Sequence, residues 1–277
     1  MGAEAFPPPD LELLEDVTFS AHGLRLDVLR SHQRSAEPLP AVMHIHGGAW
    51  VMFGKWPVAN VFLARAGFVT VSVDYRLAPD ATFPAQIHDV KTAVRWLRAH
   101  ADTLGVDPER IGVWGISAGA HLAALLGTTA GHPGLEGLDG GWEDQSSEVQ
   151  VVGNVGGVMD FLDPGMLFGP EPFPLFGAPL AGRPDLAVLA SPVTHVAGHC
   201  APFIHLHGRN DEHVPVSQAR RMHAALKAGN ACTELVELEG DHFINETHQD
   251  EVERRLLAFF RRELAYAPGV PAGWSSG

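Results

Sequence analysis

Ile111-Gly112-Val113-Trp114 runs directly into Gly115-Ile116-Ser117-Ala118-Gly119, and that pentapeptide opens the apolar stretch Ala120-His121-Leu122-Ala123-Ala124-Leu125-Leu126. A strand-like run, a Gly-x-Ser-x-Gly corner and a helix-like run together read as a nucleophile elbow. Turning a strand sharply into a helix strains the corner residue, and only small neighbours let the two elements approach closely. Gly115 and Gly119 supply that room. Ser117 is then expected to project its hydroxyl from the carboxyl edge of a sheet, with the positive end of the following helix aimed at any oxyanion formed there.

Upstream, Ala41-Val42-Met43-His44-Ile45 reads as a buried strand that ends in His46-Gly47-Gly48-Ala49-Trp50. Backbone N–H groups bared by a glycine pair suit an oxyanion loop, because acyl transfer needs donors fixed where negative charge develops. A serine hydroxyl also needs a base and a group to orient that base. Pro202-Phe203-Ile204-His205-Leu206-His207-Gly208 is strand-like, and Asp211 follows it in the loop before a helical segment from Val216 to Ala228. The next strand, Glu234 to Leu238, leads into Glu239-Gly240-Asp241-His242-Phe243. Asp211 and His242 are therefore expected on the same edge of a parallel sheet as Ser117.

The chain has 16 histidines, so position has to choose among them. His44, His205 and His207 lie inside strand-like runs and read as core residues, whereas His88, His100, His223 and His248 fall in helical segments. His121, one turn past Ser117, is expected to point away from the site and to be structural. Asp160 rivals Asp211 as the acid, since it too follows a strand-like run, Val149 to Met159. The immediate strand-loop-helix context favours Asp211.

Val73-Asp74-Tyr75-Arg76-Leu77-Ala78-Pro79, with His46-Gly47-Gly48 upstream, resembles the hormone-sensitive-lipase branch of the α/β-hydrolases. Within that branch, Asp107-Pro108-Glu109-Arg110-Ile111-Gly112-Val113-Trp114-Gly115 and Ala190-Ser191-Pro192-Val193-Thr194 are most similar to bacterial esterases of the bifunctional feruloyl and acetyl esterase type. The resemblance covers about residues 38 to 262. It implies an α/β-hydrolase fold, with a mostly parallel sheet, helices on both faces and a short cap. It also implies a triad of Ser117, Asp211 and His242 and an oxyanion hole made by the amides of Gly47, Gly48 and Ala118. The chain order serine, aspartate, histidine is the one such a fold requires. Ala49 stands where many relatives have a third glycine, and Ala120 where a second glycine often follows the elbow.

The 277 residues, 45% hydrophobic, are enough for one α/β domain over residues 1–277 with a sizeable core. Strand-like and helical patterns alternate from Val42 onward, and Ile87, Val90, Val94 and Leu97 recur at helical spacing after Pro84. Val17 to Phe19 and Leu24 to Val28 read as an antiparallel edge hairpin. The ends, 1–10 and 267–277, are expected to be extended or mobile. A net charge of −14 without a basic patch argues against nucleic acid or anionic membrane as partners. No apolar run approaches the roughly 18 residues of a membrane span, and no export signal opens the chain, which points to the cytoplasm. No metal or organic cofactor is called for.

From about 160 to 186 the alternation breaks, and aromatic and leucine side chains are strung among Pro and Gly. This segment reads as a cap, and Trp50, Leu162, Phe168, Phe173 and Phe176 are the expected substrate contacts. The loop from Gly131 to Ser147 is expected to be mobile. Cys200 and Cys232 each precede a strand at the amino edge of the sheet, where either a disulfide or two free thiols would fit. The expected activity is hydrolysis of short-chain acyl esters, with feruloyl or other aryl esters accepted, through an acyl-enzyme. A cap of about 25 residues offers little apolar area for a long fatty chain, at about 0.8 kcal/mol per methylene. An arylformamidase-type amide hydrolase is the alternative, and a non-catalytic ligand-binding protein on the same fold, like the plant gibberellin receptor, a further one.

Overall fold

The computed structural model describes residues 6–166, 173–180, 182–198 and 200–265. Among them, one sheet of eight strands runs in the order β1-β2-β4-β3-β5-β6-β7-β8. These strands are β1 Leu11–Thr18, β2 Arg25–Ser31, β3 Leu39–Ile45, β4 Val69–Val73, β5 Val106–Ile116, β6 Val151–Val155, β7 Phe203–Gly208 and β8 Thr233–Leu238. From β4 to β8 every pairing is parallel, while β1 and β2 add an antiparallel edge.

The edge hairpin extends further than expected, because β1 begins at Leu11 and Phe6 packs on Trp56 with ring centroids 4.8 Å apart. Leu11 N–H also donates to Pro8 O, which closes a turn just before β1. Residues 1–5 and 267–277 lie outside the described residues.

Successive side chains of a strand point to opposite faces, and the sheet uses both. Met43, Val71 and Val113 face one apolar layer, built with Ile87, Val90, Val94 and Leu97 of α2 (Ala85–Ala99) and Leu122, Leu125 and Leu126 of α4 (Ala118–Thr128). Val42, Trp114 and Val151 face the other, closed by Val252, Leu256, Phe259 and Phe260 of α8 (Gln249–Ala265). Spacings of three and four residues put those α8 side chains on one stripe. The remaining α-helices among the described residues are α1 (Val61–Arg65), α3 (Ala101–Leu104), α5 (Pro184–Ala190), α6 (Ser217–Ala228) and α7 (Ile244–Thr247).

The loop from Gly131 to Ser147 is pinned, which corrects the expectation of mobility. Glu136 accepts hydrogen bonds from Lys91 Nζ at 2.7 Å, Arg95 at 3.2 Å, Ser147 Oγ at 2.8 Å and Gly131 N–H at 2.8 Å. Lys91 and Arg95 are fully buried on α2, and buried cations need such a partner. Trp142 adds an indole N–H bond to Phe19 O at 2.8 Å. Between the two cysteine alternatives the structure has free thiols: Cys200 is half-buried and Cys232 exposed.

Candidate active site

Ser117 sits between β5 and α4 with φ 54° and ψ −117°, a left-handed backbone that a non-glycine residue adopts only when its surroundings enforce it. Enforcement comes from close approach. A Cβ on Gly115 would lie 2.3 Å from the Gly119 backbone, and one on Gly119 would lie 2.0 Å from Ile45 O. Ser117 N–H is taken by Val155 O at 2.8 Å, so the corner is tied to β6 as well.

The serine hydroxyl lies 3.0 Å from His242 Nε2, and His242 Nδ1–H donates to Asp211 Oδ2 at 2.7 Å. Ser117, His242 and Asp211 are thus one hydrogen-bonded chain, assembled from the carboxyl ends of β5, β8 and β7. Asp211 Oδ1 accepts the N–H groups of His213 at 2.9 Å and Val214 at 2.8 Å. His207 Nε2, which donates to Val214 O at 2.7 Å, also lies 3.3 Å from Asp211 Oδ2. Burial by itself would raise the Asp211 pKa, but the hydrogen bonds from His207, His242 and Val214 outweigh it and hold the carboxyl well below the usual carboxylate range.

Asp160 is engaged elsewhere. Its carboxylate accepts from Leu162 N–H at 2.9 Å and pairs with Arg221 at 3.2 Å. Of the other histidines, His44, His205 and His207 are buried strand residues, as their position in the sequence implied.

The glycine loop faces the elbow: a Cβ built on Gly47 would lie 3.5 Å from Ser117 Cβ. Gly48 has φ 95°, and a Cβ there would meet Met52 O at 2.3 Å. Ala49 keeps a left-handed φ of 51° where a third glycine was the expectation from relatives. Tyr75 Oη donates to His46 O at 3.1 Å and Gly47 O at 3.2 Å, and its ring stacks on His46. Ala118, whose amide completes the expected set with Gly47 and Gly48, is the first residue of α4.

The expected substrate contacts are only partly brought together. Trp50, Phe173 and Phe176 join Phe161 in a packed cluster of rings with centroids 5.2 to 6.1 Å apart. Trp50 is 3% exposed and Phe176 7%, so a substrate would not meet either unless the cluster opened, which corrects their reading as direct contacts. Aromatic side chains spaced along a loop packed with Pro and Gly bury themselves against each other first. Leu162 does present surface, at 46% exposure. Phe168 lies outside the described residues.

Two exposed rings that the sequence did not single out flank the site. Phe243 is 48% exposed, edge-on to His242 at 5.6 Å. Phe53 is 71% exposed, and its ring lies against the face of Gly48 that a Cβ would fill. Phe243 could have been found from its place next to His242. His207 had a signal too, as the residue before Gly208 where β7 ends, but an isolated histidine in a strand reads as core. Among the described residues no group of three or more His, Cys, Asp or Glu side chains could hold a metal ion, and no helix is long and apolar enough to cross a membrane.

A mostly parallel eight-stranded sheet with an elbow serine, an aspartate and a histidine on its carboxyl edge defines an α/β-hydrolase. Within that class the chain belongs to the BD-FAE family, which matches residues 26–226. It is 36% identical to the esterase LipQ of Mycobacterium tuberculosis over 73% of this chain and 49% of the relative. It is 38% identical to the probable carboxylic ester hydrolase LipM of the same organism over 65% of this chain and 43% of the relative. The chain thus spans about half the length of these curated relatives. Among solved structures, a bifunctional GH43-CE protein of Bacteroides eggerthii superposes with a TM-score of 0.84 at 31% identity, over 91% of this chain and 38% of that one. Esterase 2 of Thermogutta terrifontis, solved with propionate bound, superposes at 0.73 with 25% identity over 95% and 98%.

Proposed function

We propose that the chain is a serine carboxylesterase that hydrolyses short-chain acyl esters, with feruloyl and other aryl esters also accepted. The observation that carries this reading is the continuous chain Ser117 Oγ–His242–Asp211, at 3.0 and 2.7 Å, with the Gly47 backbone against the serine. Ser117 Oγ attacks the ester carbonyl carbon while His242 Nε2 takes the hydroxyl proton, and the Asp211 carboxylate stabilises the imidazolium. The carbonyl oxygen, now an oxyanion, is received by the amides of Gly47, Gly48 and Ala118, each such donor contributing about 3 kcal/mol to the transition state. When the carbon–oxygen bond breaks, His242 returns the proton to the departing alcohol. Water then attacks the acyl-Ser117 ester, His242 again taking a proton, and the carboxylic acid and free serine result.

The closed cluster of Trp50, Phe161, Phe173 and Phe176 supports short acyl groups, since those rings fill space a long chain would need. Propionate bound to the Thermogutta terrifontis relative points the same way. Exposed Phe53 and Phe243 at the mouth support aryl groups. The relatives named above are called esterases or ester hydrolases, which leaves the arylformamidase reading without support. A small-molecule ester is accordingly the partner.

The test is Ser117→Ala together with labelling of the parent by a serine-directed organophosphonate, on a panel of acetyl, butyryl, feruloyl and oleoyl esters. The variant should fold and lose several orders of magnitude of turnover, leaving only the residual acceleration of the oxyanion donors. Label on another residue, or an alanine variant with most of its activity, would overturn the proposal. Oleoyl esters turned over faster than butyryl would overturn the short-chain preference.

A further inference from the structure

Gly48, Ala49 and Trp50 all have left-handed backbones, with φ of 95°, 51° and 63°. Glycine adopts this region freely, whereas alanine and above all tryptophan do so only when held. Ala78 N–H donates to Trp50 O at 2.8 Å, which secures the backbone after the turn. The side chain is secured separately. Trp50 Nε1–H donates to His121 Nδ1 at 3.2 Å, and the two rings meet edge to face at 5.3 Å.

His121 is fully buried on α4, one turn after Ser117, and its own N–H donates to Ser117 O at 3.1 Å. Its Nε2–H donates to Ala190 O at 2.7 Å, so the lone pair is on Nδ1, facing the indole N–H. Only this tautomer satisfies both partners, and burial, which pushes the His121 pKa down to about 4 against the opposing Ala190 bond, keeps the ring neutral.

The proposed oxyanion donors come from two elements: Gly47 and Gly48 from the loop after β3, and Ala118 from the start of α4. Their relative position has to be held to a fraction of an ångström for the donors to converge on one oxygen. Trp50 belongs to the first element and His121 to the second. We propose that the Trp50–His121 hydrogen bond is a positioning device, which ties the oxyanion loop to the nucleophile helix from behind and sets the alignment of the oxyanion donors. The sequence pattern assigns Trp50 to substrate and His121 to structure; their geometry assigns them to each other. The inference rests on the esterase reading above.

The test compares Trp50→Phe, His121→Leu and His121→Asn with the parent on a matched ester pair, one with C=O and one with C=S at the reacting carbon. Sulfur accepts hydrogen bonds poorly, so the thionoester draws little on the oxyanion donors. Trp50→Phe keeps an aromatic ring against Phe161 and Phe173 and removes the donor, His121→Leu removes the acceptor, and in His121→Asn the side-chain oxygen takes the place of Nδ1. Expected for the first two is a fall in kcat on the oxygen ester of about 10- to 100-fold, less than complete loss of a donor causes, with KM within about threefold. The thionoester should lose much less, so the ratio of the two rates narrows. His121→Asn should stay within about threefold of the parent on both substrates.

Equal losses on both substrates, or a loss confined to KM, would overturn the proposal, as would an asparagine variant no better than the leucine one. Trp50→Phe leaves α4 unaltered and carries the test by itself if the His121 variants do not fold. A parent protein inactive on the oxygen ester would instead overturn the esterase reading itself, which a narrowed ratio cannot be mistaken for.

Discussion

Adding one methyl group at Gly119 should separate the two halves of the proposed oxyanion hole. A Cβ at this position would lie 2.0 Å from Ile45 O and 2.5 Å from His46 O. Carbon and carbonyl oxygen come to rest at about 3.3 Å or more, so Gly119→Ala requires a separation of roughly 1 Å. Both obstacles are backbone atoms at the end of β3 and cannot rotate aside, so the start of α4 has to retreat and carry the Ala118 N–H away from Gly47 and Gly48. Overpacking of this kind costs about 1–3 kcal/mol of stability, a Tm lower by roughly 3–10 °C in a chain of this size. A misplacement of about 1 Å among catalytic groups costs about 100-fold in rate. Thermal unfolding and steady-state kinetics on p-nitrophenyl acetate, taken well below the Tm, should therefore show a large fall in kcat with KM nearly unchanged. Gly131→Ala is the control: φ is 73° but nothing lies within 4 Å of its Cβ, so it should lose a little stability and no turnover. A Gly119→Ala variant with the parent's Tm and turnover within about threefold of it would refute the reasoning.

Asp211→Asn should fold and lose turnover by about 10⁴-fold through loss of imidazole orientation, whereas Asp160→Asn, paired with Arg221, should lose far less; the opposite ranking of kcat would move the acid to β6. Glu136→Gln would strand buried Lys91 and Arg95 without a counter-charge and should lower the urea-unfolding free energy by about 3 kcal/mol, a change below about 0.5 contradicting the account. Burial first, and neighbouring histidines second, push His44 and His205 from 6.5 down to about 3, while burial pushes His121 to about 4. Because these native pKa values lie below those of the unfolded chain, the unfolded chain binds the protons first. Their contribution to stability is full above about pH 6.5 and is lost as the pH falls through about 4 for His121 and about 3 for His44 and His205, with a slope approaching about 4 kcal/mol per pH unit where all three are protonated only in the unfolded chain. Urea midpoints that stay constant from about pH 7 to 5 would contradict it.

The elbow, the glycine loop, the run of parallel strands and the residues of the hydrogen-bonded chain Ser117–His242–Asp211 were all legible in the sequence, because each follows from local rules. A glycine is needed where backbones touch, an apolar run where a strand is buried on both faces, and a catalytic loop where a strand ends at the carboxyl edge. The distances between Ser117, Asp211 and His242 were not legible, yet strand order confined all three to one edge. Tertiary structure decided which groups answer one another across long stretches of chain. Asp160 is taken by Arg221, 61 residues away, and Glu136 is claimed by Lys91 and Arg95. Trp50 gives its N–H to His121, 71 residues on, and the cap aromatics turn inward on one another. A polar atom takes whichever partner packing brings within about 3 Å, and a ring whichever apolar surface is nearest, and neither choice is written in the residues on either side.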